Sequence, residues 1–297
     1  MEKIFIITKA FNAGKTLRRA VESVLAQTYD NFSYHLFDNG SHDDTFEIMS
    51  DYERRDTRVS VHKIPPVDVQ TFYATRVLDS IHSLDSGDWF ATLDADDDYT
   101  PVFFEEMLRF AQAKSLDFVA CRSNFIEEIS GQSQNEYELL QNIVIADVDF
   151  GTLFPDYFRF MWARWGKLIQ GALLHRVDWA AGIADLARLN LSHRADTAGM
   201  LWYLRYSQRA GVLAKLLHNY RQYSGSESKK NIDEKIQDNY KMPDVYRDFL
   251  RAKAGFVSIE NERFIAEAFE RSMRRTLEEK ARGTQAAEAD RDIESCC

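Results

Sequence analysis

Four carboxylates fall within five residues, at Asp94, Asp96, Asp97 and Asp98, directly after the apolar run Trp89-Phe90-Ala91. Acids this close repel one another unless water, a cation or hydrogen-bond donors receive their charge. At the end of a strand this is the composition of a divalent-metal site, with a solvated acidic loop as the alternative. A further acid, Asp38, closes another apolar run and opens Asp38-Asn39-Gly40-Ser41, which on its own reads as a turn.

The elements that must position these acids alternate between strand and helix over the first 120 or so residues, as in an α/β domain with a mostly parallel sheet. Ile4 to Thr8 reads as a strand, and Leu17, Val21, Val24 and Leu25 recur at helical spacing after it. Phe32 to Phe37 is a second strand. Ser41 with Asp44 has the form of a capping box for a helix carrying Phe46 and Met49. Val59 to Ile64 is a third strand, stopped by Pro65-Pro66, and Val69, Phe72, Val77, Ile81 and Leu84 form the stripe of one following helix. Trp89 to Leu93 is a fourth strand, Thr100-Pro101 has the form of a helix start, and Leu116 to Cys121 is a fifth strand. In open sheets of this class ligands lie beyond the carboxyl ends of the strands, where Thr8, Asp38 and Asp94 all stand.

Beyond Arg122 the periodicity weakens, and the stretch to Phe160 reads as an excursion or lid-like insertion. Order returns at Trp165-Gly166-Lys167-Leu168-Ile169, in a helix around Asp196 to Arg209, and in a strand through Val212, Ala214 and Leu216. Ser224 to Lys230 is a polar loop. Two or three helices follow, with Phe264, Phe269, Met273 and Leu277 as the stripe of the last. The expected organisation is a domain over 1–228, divided at 121, a helical appendage over 229–282, and a disordered polar tail over 283–297.

A chain of 297 residues with 45% apolar content can bury a large core. Its net charge of −10 argues against nucleic-acid binding, which needs a cationic surface. Cys121 sits in an apolar run and Cys296 and Cys297 end the chain, so there is neither a disulfide framework nor zinc spacing. A reducing cytoplasm fits, with a peripheral membrane position compatible. An inert terminal Cys-Cys is favoured over a lipid-attachment site. No stretch reaches the roughly 18 apolar residues of a membrane span.

Asn12-Ala13-Gly14-Lys15-Thr16 lies between a strand and a helix, as a phosphate-cradling loop does. That loop needs a glycine five residues before Gly14, and Lys9 stands there. A phosphotransferase is therefore a secondary reading. The missing Gly-x-Gly-x-x-Gly disfavours a dinucleotide enzyme.

Several blocks together resemble the nucleotide-sugar-binding half of family 2 glycosyltransferases, which have the GT-A fold. They are Ile6 to Asn12, Ala20 to Tyr29, Phe37 to Asp43, and Gly87 to Asp97, the last similar to the family's Gly-Glu-Tyr-x-x-x-Leu-Asp-x-Asp-Asp. Trp165 to Leu168, Ala195-Asp196 and Tyr220 to Ser226 extend the resemblance over most of the first 228 residues. It implies an inverting transfer of one sugar from a nucleoside diphosphate sugar, uridine by family habit, to a hydroxyl acceptor. Thr8, Phe11, Asn12, Asp38, Arg76, Asp94 and Ala95 would contact the donor. Asp38 would accept from the base, Asp94 from the ribose, and Arg76 would reach a phosphate. Asp96 would bind Mn²⁺ or Mg²⁺ on the diphosphate. Asp196 would be the general base, with an N-cap role compatible and His193 a substitute.

The chain departs from the family at Lys9, where proline is usual, at Val77 beside Arg76, at Ala195, where the neighbour of the base is usually Glu, and at Tyr223, where His is frequent. Ala195 and Lys9 motivate a rival reading, a member that binds nucleotide without turnover. Trp162 to Trp165 is similar to part of the Gln-x-x-Arg-Trp motif of processive synthases, but it precedes Asp196 and Met161 replaces the Gln. A glycan, a lipid-linked sugar or a protein side chain are all open as acceptors. The appendage would shape the acceptor site or pair two subunits as a homodimer.

Overall fold

The computed structural model describes residues 2–134, 138–223 and 231–295. Strands β1 (Ile4–Ala10), β2 (Phe32–Asp38), β3 (Val59–Lys63) and β4 (Trp89–Thr92) form a parallel half-sheet in the order β3-β2-β1-β4. Along β1 the side chains alternate between two cores: Ile4 and Ile6 join one, Phe5 and Ile7 the other. A strand covered on both faces needs apolar residues at successive positions, which is why this run reads as continuous rather than alternating.

Helices α1 (Leu17–Leu25) and α2 (Thr45–Arg55) cover the first face with Leu17, Val21, Val24, Ile48 and Met49. The expected capping box is absent. α2 starts at Thr45, because Ser41 is engaged by Asp38 and Asn12, and Asp43 instead accepts from the Thr45 amide at 3.1 Å. The expected single helix after β3 is three pieces, α3 (Val69–Phe72), a π-helical turn Tyr73–Val77, and α4 (Leu78–Ile81). Phe72, Val77, Ile81 and Leu84 still reach the core, and the wide turn is what keeps them on one side.

After β5 (Asp98–Tyr99) comes α5 (Phe103–Lys114), which begins beyond Thr100-Pro101 and not at it. The Thr100 carbonyl accepts from the Phe103 amide, and the Pro101 carbonyl accepts from Thr28, so this dipeptide turns the chain before the helix. β6 (Phe118–Glu127) runs further than expected, and the supposed excursion beyond it contains β7 (Ser133–Gln134), β8 (Ile143–Ala146), α6 (Asp149–Thr152) and α7 (Phe154–Met161). β8 pairs with β10 far along the chain, and β7 is a two-residue strand paired across a short turn with the end of β6, so local periodicity is weak there.

β9 (Lys167–Gln170) enters antiparallel between β4 and β6 and joins the half-sheets. α8 (Gly171–Leu174) follows it. α9 (Trp179–Leu189) was not anticipated, since Gly182 is its only buried residue and it has little stripe to read. Its N-cap Asp178, accepting from the Ala181 amide at 3.0 Å, is the local signal that was available. α10 (Ala195–Tyr206) leads into β10 (Arg209–Gln222), which pairs parallel with β6 and completes a ten-stranded sheet.

The last helices, α11 (Ile232–Ala254) and α12 (Ile259–Ser295), share the second core with the body through Tyr246, Phe249, Phe264 and Ile265. Two positions differ from expectation. The buried face of α12 is Asn261, Phe264, Ile265 and Thr276, with Leu277 exposed. The backbone of α12 continues as helix to Ser295, past the start expected for the tail at 283. The polar loop expected at Ser224 to Lys230 and the terminal Cys-Cys lie outside the described residues. No helix among the described residues is long and apolar enough to cross a membrane.

Candidate active site

A cleft of about 1880 Å³ opens past the ends of β1 and β4, between the Lys9 to Thr16 turn, the Asp94 to Asp96 segment, the start of α10, and α11 and α12. The four clustered acids divide their work around it. Asp94 and Asp96 line the cleft, while Asp97 and Asp98 turn inward to the end of β10. Asp97 Oδ1 accepts from the Arg221 amide at 2.9 Å, and its Oδ2 lies 3.2 Å from His218 Nε2 with both side chains buried. Burial, then the charge of Asp94, holds Asp97 well above the usual carboxylate range, and burial takes His218 down to about 3. Asp98 accepts from Asn219 Nδ2 at 2.6 Å and from the Arg221 guanidinium, with Arg19 Nε at 3.5 Å.

At Asp96 burial and the repulsion between the acids outweigh what offsets them. Burial, then Asp97 and Asp94, pushes it up to about 7, and a hydrogen bond with Tyr223 offsets part of the rise. Arg19 holds the segment's backbone by donating to the Asp96 carbonyl at 2.9 Å.

At the neighbouring strand ends, Asp38 is fully buried: Oδ1 accepts from the Ser41 amide at 3.1 Å, and Oδ2 has no hydrogen-bond partner among the described residues. Asn39 clamps Val67 through both amide atoms, at 3.0 and 3.1 Å, and Lys9 Nζ donates to the Val67 carbonyl at 2.9 Å. The 65–67 segment is thereby laid over the Asp38 turn, so closely that a Cβ on Gly40, at φ +81°, would stand 2.7 Å from Pro66 Cγ. Lys9, where the family pattern has proline, is thus a strut for this segment. Burial, then Arg164, lowers its pKa.

Asp196 stands in the first turn of α10 and accepts from the Thr197 amide at 2.8 Å. Burial raises its pKa, against the pull of Arg164 and Arg194, and Asp94 raises it further, so the strand-end acids and Asp196 share one electrostatic field. The turn that carries it is tied to α11. Buried Asp238 Oδ2 accepts from the amides of Ser192, His193 and Arg194 at 2.9, 2.7 and 3.3 Å, and Arg194 donates to Asn239 and Ser272.

Phe11, Asn12, Asp94, Ala95, Asp96, Asp196 and His193 therefore line one cleft. Asp38 lies beneath it, next to the lining residue Asn39. Thr8 is buried and bonds Leu93 O at 2.7 Å and Tyr34 Oη at 2.8 Å, which couples β1 to the acidic segment. Arg76 is not brought to the cleft: it is exposed on the π-helical turn, near His62. The phosphate-cradle reading of Gly14-Lys15-Thr16 fails, because the Gly14 amide donates to the carboxylate of Asp43 at 3.0 Å and Asp44 crowds the same residue, leaving anions where a phosphate would sit.

Sequence reasoning missed Arg19, Arg164, Arg194 and Lys167. Lys167 is buried, donates to Trp165 O at 2.9 Å, and is lowered by burial to about 8. Lys167 and Arg164 sit in blocks already singled out, but nothing local says that their charge serves Asp196.

The profile described as Glycosyl transferase family 2 matches residues 5–65. GlyG, a glycosyltransferase of Streptococcus pneumoniae serotype 4, is 30% identical over 248 residues, covering 78% of this chain and 75% of that protein. The chain belongs to glycosyltransferase family 2. It spans 32% of the length of another pneumococcal glycosyltransferase that it matches at 23% identity. Among solved folds, S. aureus TarS 1–349 in complex with UDP-GlcNAc superposes with a TM-score of 0.60 at 12% identity, covering 92% of this chain and 82% of that one. The Pyrobaculum calidifontis mannosyltransferase PcManGT, in complex with GDP-Man and Mn²⁺, gives 0.55 at 11% identity, covering 99% and 79%. This glycosyltransferase accordingly has the GT-A type of α/β fold with a helical C-terminal region.

Proposed function

We propose that this glycosyltransferase transfers a single sugar, with inversion, from a nucleoside diphosphate sugar to a hydroxyl acceptor, and that Asp196 is its general base. The observation that carries the reading is the convergence of Asp94, Asp96 and Asp196 on one cleft, with Asp196 raised by burial toward the range in which a carboxylate takes up a proton. The acceptor oxygen bonds to the anomeric carbon as its proton passes to the Asp196 carboxylate, and the bond from that carbon to the diphosphate breaks on the opposite side. Asp94 accepts from a donor hydroxyl in this reading. Asp38 keeps one buried carboxylate oxygen for a base N–H.

A divalent ion fits the residues present. No three His, Cys, Asp or Glu side chains among the described residues form a metal cluster, so no closed cage exists among them. Asp96 instead presents one charge-frustrated carboxylate to the cleft, the donor set expected where phosphate oxygens and water complete the shell. Bound there, Mn²⁺ or Mg²⁺ would neutralise charge on the departing diphosphate. That PcManGT is seen with Mn²⁺ and TarS with UDP-GlcNAc supports both the cation and the donor class. For the base, uridine is our preference.

The test is a thermal-shift panel of nucleoside diphosphates with and without Mn²⁺, followed by donor turnover. Asp96→Ala is expected to lose the Mn²⁺-dependent shift. Asp196→Asn is expected to keep it and to lose turnover by roughly 10²- to 10⁴-fold. Normal turnover in Asp196→Asn would refute the assignment of the base, and donor binding without any turnover in the native protein would favour the binding-only reading.

A further inference from the structure

The wall that α12 gives to the cleft is cationic. On α12 the row Arg271, Arg274, Arg275, Glu278 and Arg282 lines the cleft with Glu279 beside it, four guanidinium groups to two carboxylates. The spacing of three, four, seven and eleven residues puts this row on a single stripe of the helix, and at 1.5 Å per residue it runs for about 16 Å. A chain with a net charge of −10 has no general surplus of arginine to scatter, so the row is a local feature. Glu279 is paired with Lys235 at 2.6 Å and Asp233 with Lys280 at 2.7 Å, so even with Glu234 and Glu278 in the lining this wall keeps a surplus of positive charge. Among the described residues neither Arg271 nor Arg274 forms an ion pair.

The stripe is also connected to the proposed base. Ser272, beside Arg271, accepts from Arg194, two residues before Asp196. Phe264 lies about two turns before Arg271 on α12, also in the wall, so the surface passes from aromatic to cationic along one helix face. Guanidinium groups bind phosphate oxygens through paired hydrogen bonds, and a row of them suits several such groups better than one carboxylate. The row faces into a cleft, which a flat bilayer surface cannot enter and a flexible chain can.

Resting on the transferase reading above, we propose that the acceptor is phosphorylated and that its phosphoryl groups lie along Arg271, Arg274 and Arg275 while its hydroxyl reaches Asp196. The probe is a short fluorescein-labelled inorganic polyphosphate, followed by anisotropy, with vesicles of phosphatidylglycerol or phosphatidylcholine as a second arm. The native protein is expected to bind the polyphosphate with an affinity that falls with added salt. The triple variant Arg271→Gln, Arg274→Gln, Arg275→Gln is expected to bind it about ten- to a hundredfold more weakly, as loss of three exposed charge contacts implies. Its Mn²⁺-dependent thermal shift with UDP should be unchanged, which shows that it folds and keeps the donor site. Equal binding by native and triple variant, or no binding by either, overturns the proposal. So does binding only to phosphatidylglycerol vesicles, which would make the row a membrane surface. Loss of the nucleotide shift in the native protein would instead sink the transferase reading and leave the polyphosphate result to stand by itself.

Discussion

Asp96 is ordinary as a side chain and unusual in its surroundings. Its folded pKa, about 7, lies above the ordinary 3.8, so between those values the folded protein holds a proton that the unfolded chain has lost. Stability drawn from that proton is therefore present at low pH and lost as pH rises through about 7, and a cation that binds the ionised carboxylate restores it. Thermal shift by Mn²⁺ should be larger at pH 8 than at pH 6. In Tyr223→Phe, which removes the hydrogen bond to the carboxylate, the onset should move to higher pH. A shift independent of pH would mean that the cation binds elsewhere. The resemblance to the family pointed at Asp96, but the role of Tyr223 could not be read, because a contact made across the end of β10 leaves no local pattern.

Elements place the acids, and two of them can be tested. Asp238 on α11 accepts from three consecutive amides ahead of α10, so Asp238→Ala leaves buried donors unpaired. It should cost about 1 to 3 kcal/mol in urea unfolding and slow transfer, with Mn²⁺–UDP affinity retained. On the opposite flank, His35 Nδ1 and His62 Nε2 are 3.1 Å apart across β2 and β3, and one ring must stay neutral to accept. Burial, then His62 and Lys3, lowers His35 to about 4, while the unfolded chain protonates near 6.5. The unfolded state then binds more protons in that window, so stability is intact above 6.5 and falls as pH drops toward 4. The urea midpoint should fall over this range, and less so in His35→Gln. Strand and helix order in the first half was readable because each run is buried on a regular face. The break of the helix after β3 and the late start of α2 were not, since both follow from partners on other elements.

The molecule as a whole is more unified than its linear organisation suggests. The rings of Phe154 on α7 and Phe249 on α11 lie 5.9 Å apart, and Phe264 on α12 is 5.7 Å from Phe154. The C-terminal helices therefore belong to the core that also holds Phe5, Phe90 and Met200. Phe249→Ala should cost about 3 to 5 kcal/mol and lower a single unfolding transition. A separate early transition, with nucleotide binding intact, would show instead that α11 and α12 form an independent unit.

Short-range chemistry was legible in the order of residues: the strand ends, the acidic run at Asp94 to Asp98, the turn at Asp38 and the family to which they belong. These depend on neighbours within a few positions, where periodicity and turn propensity act. Which acid meets the cleft and which is neutralised depended on folding, because charge is settled by whatever comes within a few ångströms, however distant along the chain. His218 reaches Asp97 across 121 positions, and the arginines of α12 enter the same cleft as Asp94 and Asp96 only through the packing of distant elements.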